Sequence, residues 1–207
     1  SRAVIEAGRA LLFWTILHQD LETRQPDEAA REKEADTVAL LTPVVKAFLT
    51  GRGFQICSDA MQVHGGSGYT VHFPAAQYLR DSRIAMIYEG TNGIQALVLV
   101  GRKLPAKGGR AVQAFFAEID ALVAANASAD ETLKPYVDGL AQAKARLQEA
   151  TLWLLQNAVA NPDNAGAASN DYLNLMAITG LAYMWLMMAR VAAAKAGDSD
   201  PYYANKL

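Results

Sequence analysis

Apolar residues recur every three to four positions along most of this chain, which is the spacing of amphipathic α-helices. The first helix is predicted over residues 2–23. Its buried side is expected to combine apolar side chains with a glycine that permits close packing, at positions Ile5, Gly8, Leu12, Phe13, Trp14 and Ile16. The charged stretch from Pro26 to Glu34 predicts a solvated connection to the next helix.

A second, longer helix is predicted from Thr37 to Val63, with Asp36 as its N-cap. Its apolar stripe consists of Leu40, Leu41, Val44, Val45, Phe48 and Leu49. Pro43 removes one internal hydrogen bond, so the pattern allows either one kinked helix or a pair of shorter helices.

The helical periodicity is interrupted after Val63. Gly65 to Phe73 predicts a loop, and Pro74 to Ser82 predicts a short helix that begins at a proline. Ile84 to Tyr88 is an apolar connector without a charge. The charged residues before this connector are expected to form a structural ion-pair cluster of Arg80, Asp81 and Arg83.

Thr91 is the expected N-cap of a helix that ends near Leu104. The Pro/Gly-rich residues 105–109 then form the clearest boundary in the sequence, which predicts a linker between one domain at residues 1–104 and another at residues 110–207. The second domain contains three further helix patterns, Arg110–Asn126, Glu131–Ala160 and Ser169–Ala196. The second of these patterns is expected to bury Leu140, Ala143, Leu147, Leu154 and Leu155.

No stretch shows the alternation of a convincing strand, so the predicted fold class is all-α. The last helix is apolar enough from Tyr172 to Ala194 to cross a bilayer. Asn174 and Arg190 interrupt that stretch, and the central helix of a bundle has the same composition, so a core helix without a membrane is the expectation.

Composition excludes some classes of function. The formal charge of −2 argues against a nucleic-acid partner, because such partners usually require a basic face. Cys57 is the only cysteine, which rules out an intrachain disulfide, suits a reducing cytoplasm and favours a small buried residue over a nucleophile. His18, His64 and His72 lack the spacing of metal ligands, so no metal site is predicted.

The segment from Gln62 to Gln95 differs from the plain helices around it. Glycines cluster at Gly65, Gly66 and Gly68, where either a tight turn or a ligand close to the backbone explains them. Glu89 directly follows an apolar run. Apolar neighbours can bury a carboxylate and raise its pKa, which suits a general base, but a glutamate at a helix start also stabilises the helix dipole. The residues alone leave both interpretations open.

Four motifs stand in order in this segment, namely Ala60–Tyr69 (AMQVHGGSGY), Phe73–Pro74, Arg80–Asp81 and Ile87–Thr91 (IYEGT). In this order and spacing they resemble the acyl-CoA dehydrogenase family. The LVGRKL sequence that ends at Leu104, followed by another domain's worth of helix, is similar to a branch with larger subunits that includes enzymes similar to 3-methylmercaptopropionyl-CoA dehydrogenase. The resemblance implies an up-and-down four-helix bundle with a C-terminal helical extension. It also implies a helical domain and a β-domain before this chain, which is therefore expected to be a C-terminal fragment, inactive alone.

The resemblance also implies a reaction. In this family a glutamate at the IYEGT position removes the pro-R α-proton of an acyl-CoA thioester while the β-hydride passes to N5 of FAD, giving a trans-2-enoyl-CoA. Glu89 is thereby implied to be the catalytic base, and its backbone N–H is implied to be one donor to the thioester oxygen. Gly90 matches a position that lines the substrate site, and Tyr88 matches a wall of the acyl pocket.

Cofactor contacts are implied in the same way. Thr91 matches a residue that contacts the flavin, and Gln62 and Gly66 match residues that reach the adenosine-diphosphate part of FAD in a neighbouring subunit. A homo-oligomer, dimer or tetramer, and electron-transfer flavoprotein as electron acceptor are therefore expected. Gly93 stands where a flavin-contacting Gln is common, so no contact is assigned to it. The alternatives are a non-catalytic helical oligomerisation domain and an acyl-CoA oxidase-like relative.

Overall fold

The computed structural model describes residues 1–158, 160–197 and 201–205, and every regular element within these residues is helical. The helices are α1 Arg2–Arg24, α2 Glu28–Val63, α3 Gly66–Tyr69, α4 Ala75–Ile84, α5 Asn92–Val98, α6 Arg110–Ala124, α7 Lys134–Asn157, α8 Pro162–Ala194 and α9 Pro201–Ala204. A π-helical turn, Leu99–Lys103, continues α5. The predicted all-α fold class is confirmed, and α3 adds one helical turn inside the predicted loop.

The connection between α1 and α2 is shorter than predicted. Only residues 25–27 separate the two helices, because the side chain of Asp27 accepts a hydrogen bond of 2.8 Å from the backbone N–H of Ala30 and caps α2 there. The predicted connection from Pro26 to Glu34 and the predicted N-cap at Asp36 are therefore wrong. Alternating alanine and charged residues after Asp27 are good helix formers, which explains the earlier start.

Pro43 does not divide α2, which continues as one helix from Glu28 to Val63. The alternative of two shorter helices is therefore wrong. The predicted apolar stripe faces the core, since Leu40, Leu41, Val44, Val45 and Phe48 are buried and Leu49 is partly buried against them. These buried residues surround Pro43, so tertiary packing compensates for the hydrogen bond that the proline removes.

The buried face of α1 is not the predicted one. It consists of Ala7, Gly8, Leu11, Thr15 and His18. The predicted residues Ile5, Leu12 and Ile16 are 46%, 37% and 42% exposed, and Phe13 is 61% exposed. Apolar residues surround most of this helix, so periodicity alone did not identify the side that meets the core. Two predicted positions agree with the structure. Trp14 is partly buried and packs against the core. A Cβ at Gly8 would lie 2.7 Å from Cδ2 of Leu49, so glycine permits the close packing of α1 on α2.

The two predicted domains share one core. α2 packs on α1, α4 and α5 in the first bundle, and α8 packs on α1, α2 and α5 as well as on α7. Buried side chains form a continuous cluster from Ala7 to Leu186. A Cβ at Gly180 of α8 would lie 3.3 Å from Cδ1 of Leu11 on α1, which shows how closely the two parts approach.

Two details of the second half differ from prediction. Asn161 caps α8, its side chain accepting from the backbone N–H of Asp163 at 3.0 Å, so α8 starts at Pro162 and not at Ser169. On α7, Leu140, Leu147 and Leu154 are buried and Ala143 is partly buried, but the predicted core residue Leu155 is 40% exposed.

By length and composition α8 is one helix of the described chain that could cross a membrane. Of its most apolar window, 56% is buried inside the protein, against α1, α2, α5 and α7. Its apolar character is therefore accounted for by the core of this fold.

The predicted linker is bonded to α2. Lys107, Gly108 and Gly109 have φ angles of 49°, 68° and 80°, so they form a left-handed turn. Nζ of Lys107 lies 2.7 Å from Oε1 of Glu32 and 3.0 Å from Oδ1 of Asp36. The Arg110 guanidinium lies 2.8 Å from the same Glu32 oxygen. Hydrogen bonds from Arg110 and Lys107 lower the pKa of the Glu32 carboxyl from 4.5 to about 2.

Candidate functional site

Residues 85–91, between α4 and α5, form a compact turn that we call the Glu89 turn. Glu89 and Gly90 adopt left-handed backbone conformations, with φ angles of 53° and 84°. Glycine takes this conformation freely, but a glutamate does so only when its surroundings hold it there, at a cost of about 1–3 kcal/mol. Thr91 ends the turn and caps α5 as predicted, its Oγ1 accepting a 3.3 Å hydrogen bond from the N–H of Ile94.

Side chains from α2 and α5 hold both left-handed residues. Nζ of Lys46 donates to the carbonyl oxygen of Gly90 at 2.6 Å and to Oδ1 of Asn92 at 3.0 Å. Nε2 of Gln95 donates to the carbonyl oxygen of Glu89 at 3.0 Å. The two consecutive peptide carbonyls of the turn are therefore both fixed by side chains.

The side chain of Asn92 also bonds the turn to α2, in addition to the bonds from Lys46. Its Nδ2 donates to the carbonyl oxygen of Ala47 at 3.0 Å and to Oγ1 of Thr50 at 3.1 Å. Its backbone N–H donates to the carbonyl oxygen of Met86 at 3.1 Å, which closes the turn. The position of Glu89 is thus set relative to the middle of α2.

Lys46, Asn92 and Gln95 were not identified from the sequence. A signal existed for Lys46, which is the only charged residue in the apolar stretch from Leu40 to Leu49. Asn92 and Gln95 carried no such signal, because a polar residue in the first turn of a helix is ordinary.

Of the two interpretations of Glu89 that the sequence left open, burial by the apolar run is not found in this chain. Glu89 is exposed, and Ile84, Ile87 and Tyr88 from the preceding apolar run are 54%, 47% and 53% exposed. The apolar run therefore forms an open apolar surface next to Glu89, with no described side chain packed over the carboxylate. That surface has the composition of one that meets a ligand or another part of a protein.

The three clustered glycines differ in whether backbone conformation or packing requires a glycine. Gly65 has a φ of 62°, and a Cβ at Gly68 would lie 2.6 Å from Cβ of His64 and 2.7 Å from the carbonyl oxygen of Met61. Backbone conformation and packing therefore explain these two glycines. A Cβ at Gly66 would meet nothing within 4 Å, so the packing of this chain does not explain Gly66.

The structure does not bring Gln62 and Gly66 to the Glu89 turn. The turn is bonded to Lys46, Ala47 and Thr50, whereas Gln62 lies roughly 18 Å beyond Thr50 along α2 at about 1.5 Å per residue. Gln62 and Gly66 are both exposed at that far end. The predicted site residues therefore form two separate groups on the surface of one chain.

The predicted ion-pair cluster is wrong. Oδ1 of Asp81 accepts a 2.7 Å hydrogen bond from Nε2 of Gln77, and the Arg83 guanidinium lies 5.7 Å from the centre of the Phe54 ring. Within the described residues Asp81 pairs with neither Arg80 nor Arg83. The three charges share one short helix, whose faces point them to different neighbours.

His18, His64 and Cys57 each have a structural environment that explains them, whereas His72 is exposed. Nδ1 of His18 bonds to Oε2 of Glu34 where both side chains are largely buried. The His64 ring lies 5.7 Å from the Phe73 ring, and Cys57 is partly buried within α2. In the described part of the chain no group of three or more His, Cys, Asp or Glu residues has the geometry of a metal site.

Comparison with known proteins agrees with this architecture. Residues 3–104 match the family model of the acyl-CoA dehydrogenase C-terminal domain, and residues 115–207 match a model described as acetyl-CoA dehydrogenase C-terminal like. A curated relative, 3-methylmercaptopropionyl-CoA dehydrogenase of Ruegeria pomeroyi, is 36% identical over 205 residues, which are 96% of this chain and 34% of that protein. The chain belongs to the acyl-CoA dehydrogenase family.

Other members of this family extend the comparison. The broad-specificity linear acyl-CoA dehydrogenase FadE5 of Mycobacterium tuberculosis is 29% identical over 220 residues, covering 100% of this chain and 36% of that protein. The crystal structure of Caenorhabditis elegans ACDH-11 in complex with C11-CoA shares the fold, with a TM-score of 0.73 at 20% identity over 90% of this chain and 30% of that one. This chain therefore spans about a third of the length of these relatives.

Proposed function

We propose that this acyl-CoA dehydrogenase chain is the C-terminal part of a FAD-dependent enzyme that converts an acyl-CoA thioester into a trans-2-enoyl-CoA, with Glu89 as the catalytic base. The observation that carries this proposal is the Glu89 turn. A glutamate is held there in an unfavourable backbone conformation by Lys46, Asn92 and Gln95, on an exposed apolar surface. Its carboxylate has no ion-pair partner among the described residues, so it is free to accept a proton.

In the proposed reaction the Glu89 carboxylate removes the α-proton of the thioester and becomes a carboxylic acid. FAD, when bound, would supply the two-electron oxidant for the hydride that leaves the β-carbon. The electron pair of the broken Cα–H bond then forms the Cα–Cβ double bond. Atoms and charge therefore balance between the acyl-CoA, Glu89 and FAD.

Removal of the α-proton builds negative charge on the thioester oxygen. No described residue accepts a hydrogen bond from the backbone N–H of Glu89, so this group is available as a donor to that oxygen. Tyr88 and Gly90 flank Glu89 on the exposed surface and are proposed to line the acyl-CoA. Glu89 thus acts through both its side chain and its backbone.

Three residues proposed to contact FAD have groups in this structure that are accessible to such a ligand. Oγ1 of Thr91 accepts from the N–H of Ile94, which leaves the hydroxyl hydrogen to donate to a flavin atom. The open space at Gly66 allows a ligand close to the backbone, and Gln62 is exposed beside it. Because these two residues lie far from the Glu89 turn, we propose that they bind the FAD of a neighbouring subunit in a homo-oligomer, dimer or tetramer.

Further features of the proposal concern the whole enzyme. The remaining flavin contacts and the rest of the acyl-chain pocket are proposed to come from segments outside this chain, which alone is proposed to be inactive. Electron-transfer flavoprotein is the proposed electron acceptor, and the single cysteine supports a cytoplasmic location. Two curated relatives, named as a 3-methylmercaptopropionyl-CoA dehydrogenase and a broad-specificity linear acyl-CoA dehydrogenase, support acyl-CoA as the substrate class.

The visible spectrum of the full-length protein tests the proposal. Anaerobic addition of a panel of acyl-CoA thioesters should bleach the flavin band with at least one of them. Glu89→Gln should abolish bleaching without loss of bound flavin, while Glu131→Gln, an exposed glutamate outside the site, should leave it unchanged. A colourless protein would favour the oligomerisation-domain alternative, and rapid recolouring in air would favour the oxidase-like alternative.

A further inference from the structure

We propose that Lys46, acting with Asn92, is a positioning residue for proton transfer, because it fixes the Glu89 turn on α2 in the conformation that presents the carboxylate to the acyl-CoA. This inference rests on the proposed function. Lys46 lies on a different helix from Glu89 and is linked to it only by tertiary contacts.

The hydrogen bonds of Lys46 go to the turn and to no acid. Its ammonium donates to the carbonyl oxygen of Gly90 at 2.6 Å and to Oδ1 of Asn92 at 3.0 Å. It makes no ion pair with any carboxylate of the described residues, including that of Glu89. A charged donor makes a stronger hydrogen bond than a neutral one, so Lys46 is suited to holding a peptide group in place.

Asn92 has only one amide orientation that satisfies its neighbours. The carbonyl oxygen of Ala47 can only accept, so the Asn92 atom that lies 3.0 Å from it is the amide nitrogen Nδ2. The same Nδ2 lies 3.1 Å from Oγ1 of Thr50. Oδ1 of Asn92 must then face the Lys46 ammonium. The side chains of Lys46, Thr50 and Asn92 therefore form one network with a defined direction.

This network anchors the Glu89 turn to a part of α2 that is itself fixed in the core. The α2 residues beside Lys46, namely Val44, Val45, Ala47 and Phe48, are buried. Glu89 has a left-handed conformation that the isolated segment would not keep. Loss of the Lys46 donor therefore lets the turn relax, and a base displaced by about 1 Å from its substrate loses on the order of 100-fold in rate.

The test compares four forms of the full-length flavoprotein: wild type, Lys46→Met, Lys46→Arg and the matched control Lys33→Met. Lys33 is on the same helix, but its side chain is 59% exposed and its ammonium lies 3.6 Å from Oε1 of Glu118. The rate constant of anaerobic flavin bleaching and the dissociation constant of the acyl-CoA are measured, per bound flavin, together with the thermal midpoint.

For Lys46→Met we expect a bleaching rate constant about 10–100-fold lower, with the dissociation constant within about threefold of wild type and the thermal midpoint within a few degrees. Lys46→Arg keeps a cationic donor and should recover most of the rate, and Lys33→Met should match wild type. Hydrogen exchange is measured at the backbone N–H of Asn92, which donates to the carbonyl oxygen of Met86. It should be at least tenfold faster in Lys46→Met than in wild type, and unchanged in the other two variants.

Three results would overturn the inference. If wild type bleaches and Lys46→Met bleaches equally fast, the positioning role is wrong while the proposed function stands. If the rate and thermal midpoint of Lys46→Met fall together and Lys46→Arg restores neither, Lys46 is merely structural. If no acyl-CoA bleaches wild type, the positioning role fails together with the proposed function.

Discussion

The hydroxyl groups of Thr151 on α7 and Tyr172 on α8 lie 2.8 Å apart, and both residues are buried. Thr151 has one hydroxyl hydrogen, which it donates to the carbonyl oxygen of Leu147 at 2.7 Å. Tyr172 must therefore be the donor between the two hydroxyls. Two hydrogen bonds in series thus tie α8 to the backbone of α7.

Because Tyr172 donates to Thr151, removing either hydroxyl should lower the free energy of unfolding by a different amount. Thr151→Val leaves the buried Tyr172 hydroxyl without an acceptor and should lower the free energy of unfolding by about 1–3 kcal/mol. Tyr172→Phe leaves Thr151 bonded to Leu147 and should cost about 1 kcal/mol or less. Urea unfolding of the 207-residue chain measures both, and a larger loss for Tyr172→Phe would show that the donor is Thr151.

Burial also raises the pKa of Tyr172 from 10.0 to about 12, against a smaller opposing effect of the hydrogen bond to Thr151. Since the folded pKa exceeds the unfolded one, this contribution to stability is complete below pH 10 and is lost as the pH rises towards 12. Two pKa units correspond to about 2.7 kcal/mol. Unfolding free energies measured from pH 9 to 12 should fall more steeply for wild type than for Tyr172→Phe, and parallel curves would contradict this assignment.

Glu32 has the opposite dependence on pH. Arg110 and Lys107 lower its folded pKa to about 2, so its contribution is present above pH 4.5 and is lost as the pH falls through 2. The urea midpoint of wild type should therefore drop more between pH 5 and 2 than that of Glu32→Gln, and 1 M salt should reduce the difference. Glu28→Gln is the control, since Glu28 is on the same helix and makes no ion pair with the described residues. Equal acid sensitivity of wild type and Glu32→Gln would refute the role of this pair.

Alanine substitutions at Gly66 and Gly68 should have different effects on stability. Gly68→Ala places a Cβ against the backbone of Met61 and should cost at least about 1–3 kcal/mol. Gly66→Ala meets nothing and should change the free energy of unfolding by about 0.5 kcal/mol or less. In the full-length protein the proposed function then predicts that Gly66→Ala weakens FAD retention without loss of stability. Full retention of FAD by that variant would argue against a cofactor contact at Gly66.

The contact between Leu11 and Gly180 makes α1 and α8 interdependent. Leu11→Ala should lower the free energy of unfolding by about 2–5 kcal/mol, because Leu11 is only 1% exposed. The same substitution at Leu17, which is 52% exposed on the same helix, should cost about 0.5 kcal/mol or less. Far-ultraviolet circular dichroism and tryptophan fluorescence should report one coincident transition. A second transition, unaffected by Leu11→Ala, would mean that residues 110–207 unfold independently.

Local signals in the sequence were sufficient for much of the fold. The end of α2 at Val63, the start of α6 at Arg110, the cap at Thr91 and the stripe of α2 were all predicted correctly. Each depends on residues within one or two helical turns. Two predicted helix starts are wrong because a residue earlier in the chain is the N-cap. Asp27 caps α2 in place of Asp36, and Asn161 caps α8, which therefore starts before Ser169.

The sequence by itself determined the helical class of this protein, most helix boundaries and, through the order of its motifs, its family. Only the tertiary structure decided which face of α1 is buried, because that helix is apolar on several sides and α2 and α8 select one of them. It also decided that Glu89 is exposed and that Lys46 holds its turn. These outcomes depend on residues more than 40 positions apart, whose contacts arise from packing and leave no periodic trace along the chain.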